Sequence, residues 1–383
     1  MLPVSVLGTT GLQLLRKEIK AMKTLGLVFV LPAALGIGLA SSSAHADAIS
    51  DFYTGKKITL VIGYGPGGGY DEYARTLARF MGDHIPGKPT LVPQNMPGAG
   101  SRTAANWLAN IAPKDGTVVA TLSQTTPTDQ ALGQPGIRFD VRTLNWIGNM
   151  IVVNNTLAVW NTSGVKTMEE ATKKELAIGA TGASSPSVLY PQASNNMLGT
   201  KFKIITGYPG GGDINIALER GEVDGRGSNS WASWKSTKAD WLRDKKINIL
   251  FQVGPKREVD LPDVPLWSEL GKTPEQRKVL EILSGDVAVG RPIVAPPDLP
   301  ADRVKALRAA FDATMKAPDF LEATAKQKMD INPMSGEELQ RIVGRIVEVS
   351  PEVVTLVKKA IEIKDTKELP DDKKPPAKAG GEE

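Results

Sequence analysis

Two short segments govern what this chain can fold into. Tyr64-Gly65-Pro66-Gly67-Gly68-Gly69-Tyr70-Asp71 follows the apolar run 57–62, and Tyr208-Pro209-Gly210-Gly211-Gly212-Asp213 follows the run 202–206. Each reads as a strand, a glycine-rich turn and a helix start with an Asp in its first turn. One such unit falls in each half of the chain. Helix starts present unpaired N–H groups and a partial positive charge, which attract anions. Glycine lets the backbone approach a ligand closely. In open α/β sheets, loops of this kind sit at the carboxyl ends of strands, where the ligand crevice lies. Two of them face to face would clamp a carboxylate through backbone donors, without needing Arg or Lys. The same residues also serve as tight turns with a capping Asp. A single loop leaves both readings open; the pair favours the ligand.

The rest of the chain alternates in the same way. Strand-like runs at 90–95, 117–122, 157–160, 176–179 and 247–251 are separated by helical stretches at 101–111, 187–198 and 213–220. A short strand is expected at 222–225 and another from Asp286 towards Ala295. From Pro300 onward the segments read as helices over 301–316, 318–327 and 336–363. This is the grammar of an α/β protein. The Asp71 and Arg75 spacing supports a helix by itself, since acid and base four apart meet on one face. Trp231 and Trp234, three apart, are expected in the core.

Further polar residues follow strand ends and offer hydroxyl and amide donors to the crevice. They are Ser123, Gln124 and Thr126 in one loop and Thr181, Gly182, Ala183, Ser184 and Ser185 in another. Their other role is helix capping.

Composition closes several routes. The chain has no cysteine and two histidines, of which His84 alone lies beyond residue 46, so thiolate and His-rich metal sites are excluded and no cofactor is expected. Residues 1–46 read as a secretory signal peptide, with a basic start at Lys23, an apolar run over 25–40 and a small-x-small site ending at Ala46. Met22 by itself opens a complete signal, which leaves the start at Met1 or at Met22 open. Most of the net charge of +4 belongs to this leader, in Arg16, Lys17, Lys20 and Lys23 against Glu18. The remainder is nearly neutral and gives no case for nucleic acid. Gly63-x-Gly65-x-x-Gly68 matches a dinucleotide fingerprint, but Pro66 stiffens the turn and the second strand ends in Pro93-Gln94-Asn95 without the acidic ribose partner. An exported hydrolase using Ser184 or Ser185 is the alternative from another class; neither serine lies in a Gly-x-Ser-x-Gly elbow. Residues 364–383 are charged and proline-rich, and a disordered tail is expected there.

Taken in order, several segments resemble the periplasmic receptor family of tripartite tricarboxylate transporters, the Bug-type solute-binding proteins. They are Gly65 to Asp71 with Ala74-Arg75, then Pro93-Gln94-Asn95-Met96-Pro97-Gly98-Ala99-Gly100, Ala112-Pro113-Lys114-Asp115-Gly116 and Gly221-Glu222-Val223-Asp224. Lys256-Arg257 and Leu261-Pro262-Asp263-Val264-Pro265-Leu266-Trp267-Ser268-Glu269-Leu270-Gly271 complete the set, so the likeness spans 59–333. The resemblance implies a two-domain Venus-flytrap fold of the type II periplasmic-binding-protein class. Domain 1 would comprise 47–152 and 288–363, with domain 2 over 153–287. It implies a periplasmic receptor, not an enzyme, acting as a monomer. Such a receptor holds a small organic carboxylate on the two glycine loops and the 123–126 and 181–185 loops and passes it to membrane permease subunits. A receptor feeding a sensor kinase would share the same fold. Tyr64 and Tyr70 depart from the family pattern, as do Pro209 in place of a Lys and Ser187-Val188-Leu189-Tyr190 in place of His-Leu, and Tyr208 adds a further aromatic ring. These changes admit an aromatic or longer aliphatic acid.

Overall fold

The computed structural model describes residues 48–362 and the backbone of 366–368. The expected signal peptide and most of the expected tail lie outside these residues. Among the described residues, twelve strands form two sheets. The first contains β1 (Lys57–Ile62), β2 (Thr90–Asn95), β3 (Val118–Thr121), β4 (Asn145–Asn149), β10 (Pro292–Ala295) and β11 (Met334–Ser335), in the order β11-β4-β10-β3-β1-β2. The second contains β5 (Asn155–Trp160), β6 (Leu176–Gly179), β7 (Phe202–Thr206), β8 (Gly225–Ser230), β9 (Ile247–Val253) and β12 (Thr366–Glu368), in the order β12-β7-β6-β8-β5-β9.

Sequence patterning explains the layers. β1 runs parallel to β2 and β3, and such strands are buried on both faces, which suits the continuous Ile-Thr-Leu-Val-Ile of 58–62. Alternation sends Leu60 and Ile62 into one core with Tyr73, Leu77 and Phe311, while Val61 joins Leu108, Trp146 and Val294 on the other face. The second sheet divides likewise. Leu157 and Ile178 pack with Tyr190, Phe251 and Trp267, and Ala158 packs with Ile214, Trp231, Trp234 and Trp241. The tryptophans expected in the core are there.

The chain passes from the first sheet to the second between Asn149 and Asn155 and returns ahead of Pro292. Each sheet with its helices makes one lobe. β10, inserted antiparallel between β3 and β4, closes the first sheet after the second has been built.

Several expectations change. The strand expected at 222–225 begins only at Gly225 and runs to Ser230. Asp286 and its neighbours form a short 3-10 turn, Gly285–Ala288, and the strand begins only at Pro292. The helical stretch 336–363 is two helices, Gly336–Val347 and Pro351–Ala360. Pro351 has no N–H to continue the first helix, and Ser350 caps the second by accepting from Val353 N–H. The break redirects the chain. Leu339 and Val343 pack on the first lobe, whereas Val357, Ala360 and Ile361 pack into the core of the second. The end of the segment expected in domain 1 is therefore built onto the other lobe. Residues 366–368, expected in a disordered tail, pair parallel to β7.

Candidate functional site

The two glycine loops meet. Gly65 donates its N–H to the carbonyl of Pro209 at 2.9 Å. A Cβ added at Gly210 would stand 2.9 Å from Gly65 O, and one at Gly212 would stand 2.6 Å from Pro66 O. The contact is backbone against backbone, and only glycine permits it. The helices Gly69–Ala78 and Gly211–Glu219 start here, one from each lobe, and their first N–H groups have no intrahelical partner.

Asp71 sets the first loop. One carboxylate oxygen accepts the N–H of Gly67 at 3.0 Å, which holds that glycine at φ +77°. The other accepts from Arg75 Nε at 2.8 Å and Asn95 Nδ2 at 2.8 Å, and Asn95 also donates to Tyr64 O. With both oxygens engaged, Asp71 positions the loop although it borders the cleft. Asp213, its counterpart, is only part-buried and leaves Oδ2 without a partner; burial raises its pKa.

Between the lobes lies a cavity of about 50 Å³. Of the expected residues, Tyr64, Gly68, Gly69, Tyr70, Asp71, Gln124, Thr181, Ser185 and Gly211 line it. Tyr64 and Tyr70 are stacked with ring centroids 4.6 Å apart, and burial pushes both phenols up. The Tyr70 hydroxyl accepts the N–H of Gln124 at 2.9 Å. Gln124 in turn accepts from Asn155 Nδ2 at 3.0 Å and donates to Asp286 Oδ1 at 3.1 Å.

The other expected residues stand behind the wall. Gly65, Pro66, Gly67, Gly210 and Gly212 form the loop-to-loop contact. Ser123 and Thr126 are buried in their own turn, where Thr126 Oγ1 donates to Ser123 O. Ser184 takes a hydrogen bond from Arg102 on its hydroxyl and one from Thr125 on its carbonyl, which ties the lobes together. Gly182 packs against the backbone of Gly100, Ala183 is exposed, and Tyr208 joins the second-lobe core. The Ser185 hydroxyl pairs with Ser187 at 2.6 Å.

Sequence reasoning missed the charge of the site. Arg291, 4% exposed, lines the cavity, and Arg226, 7% exposed, lies behind Gly211. Arg226 donates to Gly211 O, Asn215 Oδ1 and Ser228 O, so it holds the second loop from beneath. Burial, and then the charge of Arg291, bring its pKa down to about 9. Among the described residues neither arginine has a carboxylate within 4.0 Å. Two buried cations beside two helix starts give the cleft a positive potential that favours an anion. A signal was available: Arg291 stands alone in the run Val289-Gly290-Arg291-Pro292-Ile293-Val294, with no acid beside it.

Residues 74–358 match the model of the tripartite tricarboxylate transporter family receptor. The chain belongs to that family. Its members are solute-binding receptors rather than enzymes, which sets the hydrolase alternative aside. A relative from Cupriavidus necator, the UPF0065 protein in gbd 5'region, is 28% identical over 332 residues, covering 85% of this chain and 94% of its own. The Rhodopseudomonas palustris protein Rpa4515, solved with adipate, has the same fold, with a TM-score of 0.63 at 19% identity over 80% of this chain and 97% of that one. So does MatC from the same organism, solved with malate, with a TM-score of 0.61 at 19% identity over 78% and 99%. The two-lobed Venus-flytrap expectation holds. Among the described residues no helix is long and apolar enough to cross a membrane.

Proposed function

We propose that this receptor captures a small organic carboxylate in the cleft between its lobes, in the periplasm, and presents it to the membrane permease of a tripartite-type transporter. The observation that carries the reading is the meeting of two helix starts, one per lobe, at an interlobe cavity beside buried arginines that, among the described residues, have no carboxylate within 4.0 Å. A carboxylate there receives backbone N–H groups from both lobes, so binding and closure become one event. Family membership supports the transport role, and the adipate and malate held by the two structural neighbours support the ligand class. The closed form, with its lobes joined through Gly65 and Pro209, would be the state the permease recognises.

Titration calorimetry of the purified protein against mono-, di- and tricarboxylates tests the ligand class. Saturable binding of at least one acid is expected; a folded protein that binds none of them refutes the reading. Co-purification with permease subunits from membranes, dependent on ligand, tests the partner.

A further inference from the structure

Arg291 borders the cavity with its guanidinium held by both lobes. Its Nη2 donates to Ser230 Oγ and Ser233 Oγ, both at 2.9 Å, across from its own lobe. Its guanidinium lies over the ring of Tyr70, 4.0 Å from the centroid, and Tyr70 is itself tied to Gly290 O and Gln124 N–H. These contacts fix the plane of the guanidinium without neutralising it. Nε is buried with no partner.

The surroundings sharpen the imbalance. A Cβ on Gly69 would stand 3.0 Å from Arg291 Nη2, so the cation adjoins the positive start of helix Gly69–Ala78, an arrangement that repels unless an anion sits between. Asn229, on the same cavity, also buries an amide nitrogen, Nδ2, with no partner. The nearby acids are engaged elsewhere. Glu72 accepts the Ser236 hydroxyl at 2.6 Å, and Asp286 accepts from Tyr190 OH at 2.8 Å and from Gln124. A buried cation held rigidly beside unpartnered donors costs stability that an incoming anion repays.

We infer that Arg291 is the specificity-determining residue of the cleft: it pairs with a second anionic group on the ligand, while the glycine loops hold the first carboxylate. This rests on the carboxylate-receptor reading above. Arg226 does not share the role: it commits Nε to Ser228 O and Nη1 to Gly211 O and Asn215 Oδ1, and it does not line the cavity.

The test compares acids of equal carbon number by titration calorimetry: succinate, adipate and suberate against butyrate, hexanoate and octanoate. In the unaltered protein the best diacid should bind more than about tenfold tighter than its monoacid, the usual gain from a charge-assisted pair. Arg291→Met should bring that diacid to within about threefold of the monoacid, the diacid losing more affinity than the monoacid, and Arg291→Lys should restore part of the preference. Equal affinities in the unaltered protein, or a diacid preference that survives Arg291→Met, overturn the role of Arg291 alone. If no acid of either series binds the folded protein, the carboxylate reading falls and takes this inference with it.

Discussion

The amide of Gly65 and the carbonyl of Pro209 are 2.9 Å apart, although the two residues belong to different lobes. Parting the lobes at these loops would break this hydrogen bond. Bulk introduced at its margins should act on closure more than on folding. Gly68→Val places a side chain 3.1 Å from Gly211 N, and Gly212→Val places one 2.6 Å from Pro66 O. Both variants should keep the far-ultraviolet circular dichroism of the parent and lose about 100-fold or more in carboxylate affinity, as expected when a backbone approach is blocked. Small-angle scattering should show no ligand-induced compaction; compaction equal to the parent's would refute the clamp.

The carboxylate of Asp71 anchors Gly67 N–H, Asn95 and Arg75 at once. Asp71→Ala releases all three and should cost about 2–3 kcal/mol, the range for losing several hydrogen bonds to a buried charged group. Urea denaturation measures this. Asp71→Asn keeps an acceptor for Gly67 and should cost less than the alanine variant.

How far was this molecule legible beforehand? The glycine loops were readable because turns and helix starts are local: glycine density, an Asp at the right offset and a preceding apolar run declare themselves within a dozen residues. Arg291 was not. Its meaning depends on Ser230, Ser233 and Tyr70, all remote in the chain, and on there being, among the described residues, no carboxylate within 4.0 Å of it. The segment from Asp286 to Val289 reads as a strand running towards Ala295, yet the Asp286 carboxylate accepts from Tyr190 and Gln124 and the backbone forms a 3-10 turn there. The two-helix ending could have been seen at Ser350-Pro351, a cap followed by a residue that suits a first turn.

Burial raises the pKa of Asp286 to about 7, with Tyr190 and Gln124 pulling the other way. Its folded value lies above its unfolded one, so the protonated form favours the fold. Stability from this residue is lost as pH rises from the ordinary carboxylate range through about 7. Asp286→Asn removes that dependence. The variant should therefore gain thermal stability relative to the parent between pH 4.5 and pH 7.5, readings at roughly the two ends of that range. A Tm difference independent of pH would contradict the assignment.

Val357, Ala360 and Ile361 belong to the second-lobe core, and the carbonyls of Ala360 and Glu362 accept from Asn196 while that of Glu362 also accepts from Gln192. Ending the chain at Val347 should expose helix Pro186–Leu198 and leave the first sheet protected. Hydrogen exchange read by mass spectrometry should show faster exchange confined to the second lobe. Uniform loss of protection would refute the separation.

The break between helices Gly336–Val347 and Pro351–Ala360 sets a mechanical stop. Those two helices are bolted to different lobes, and only four peptide links join their ends. A fully extended chain covers about 3.5 Å per link, so the anchor points cannot part by more than about 14 Å. However wide the mouth swings, this tether limits the travel, and the path back to the shut form stays short.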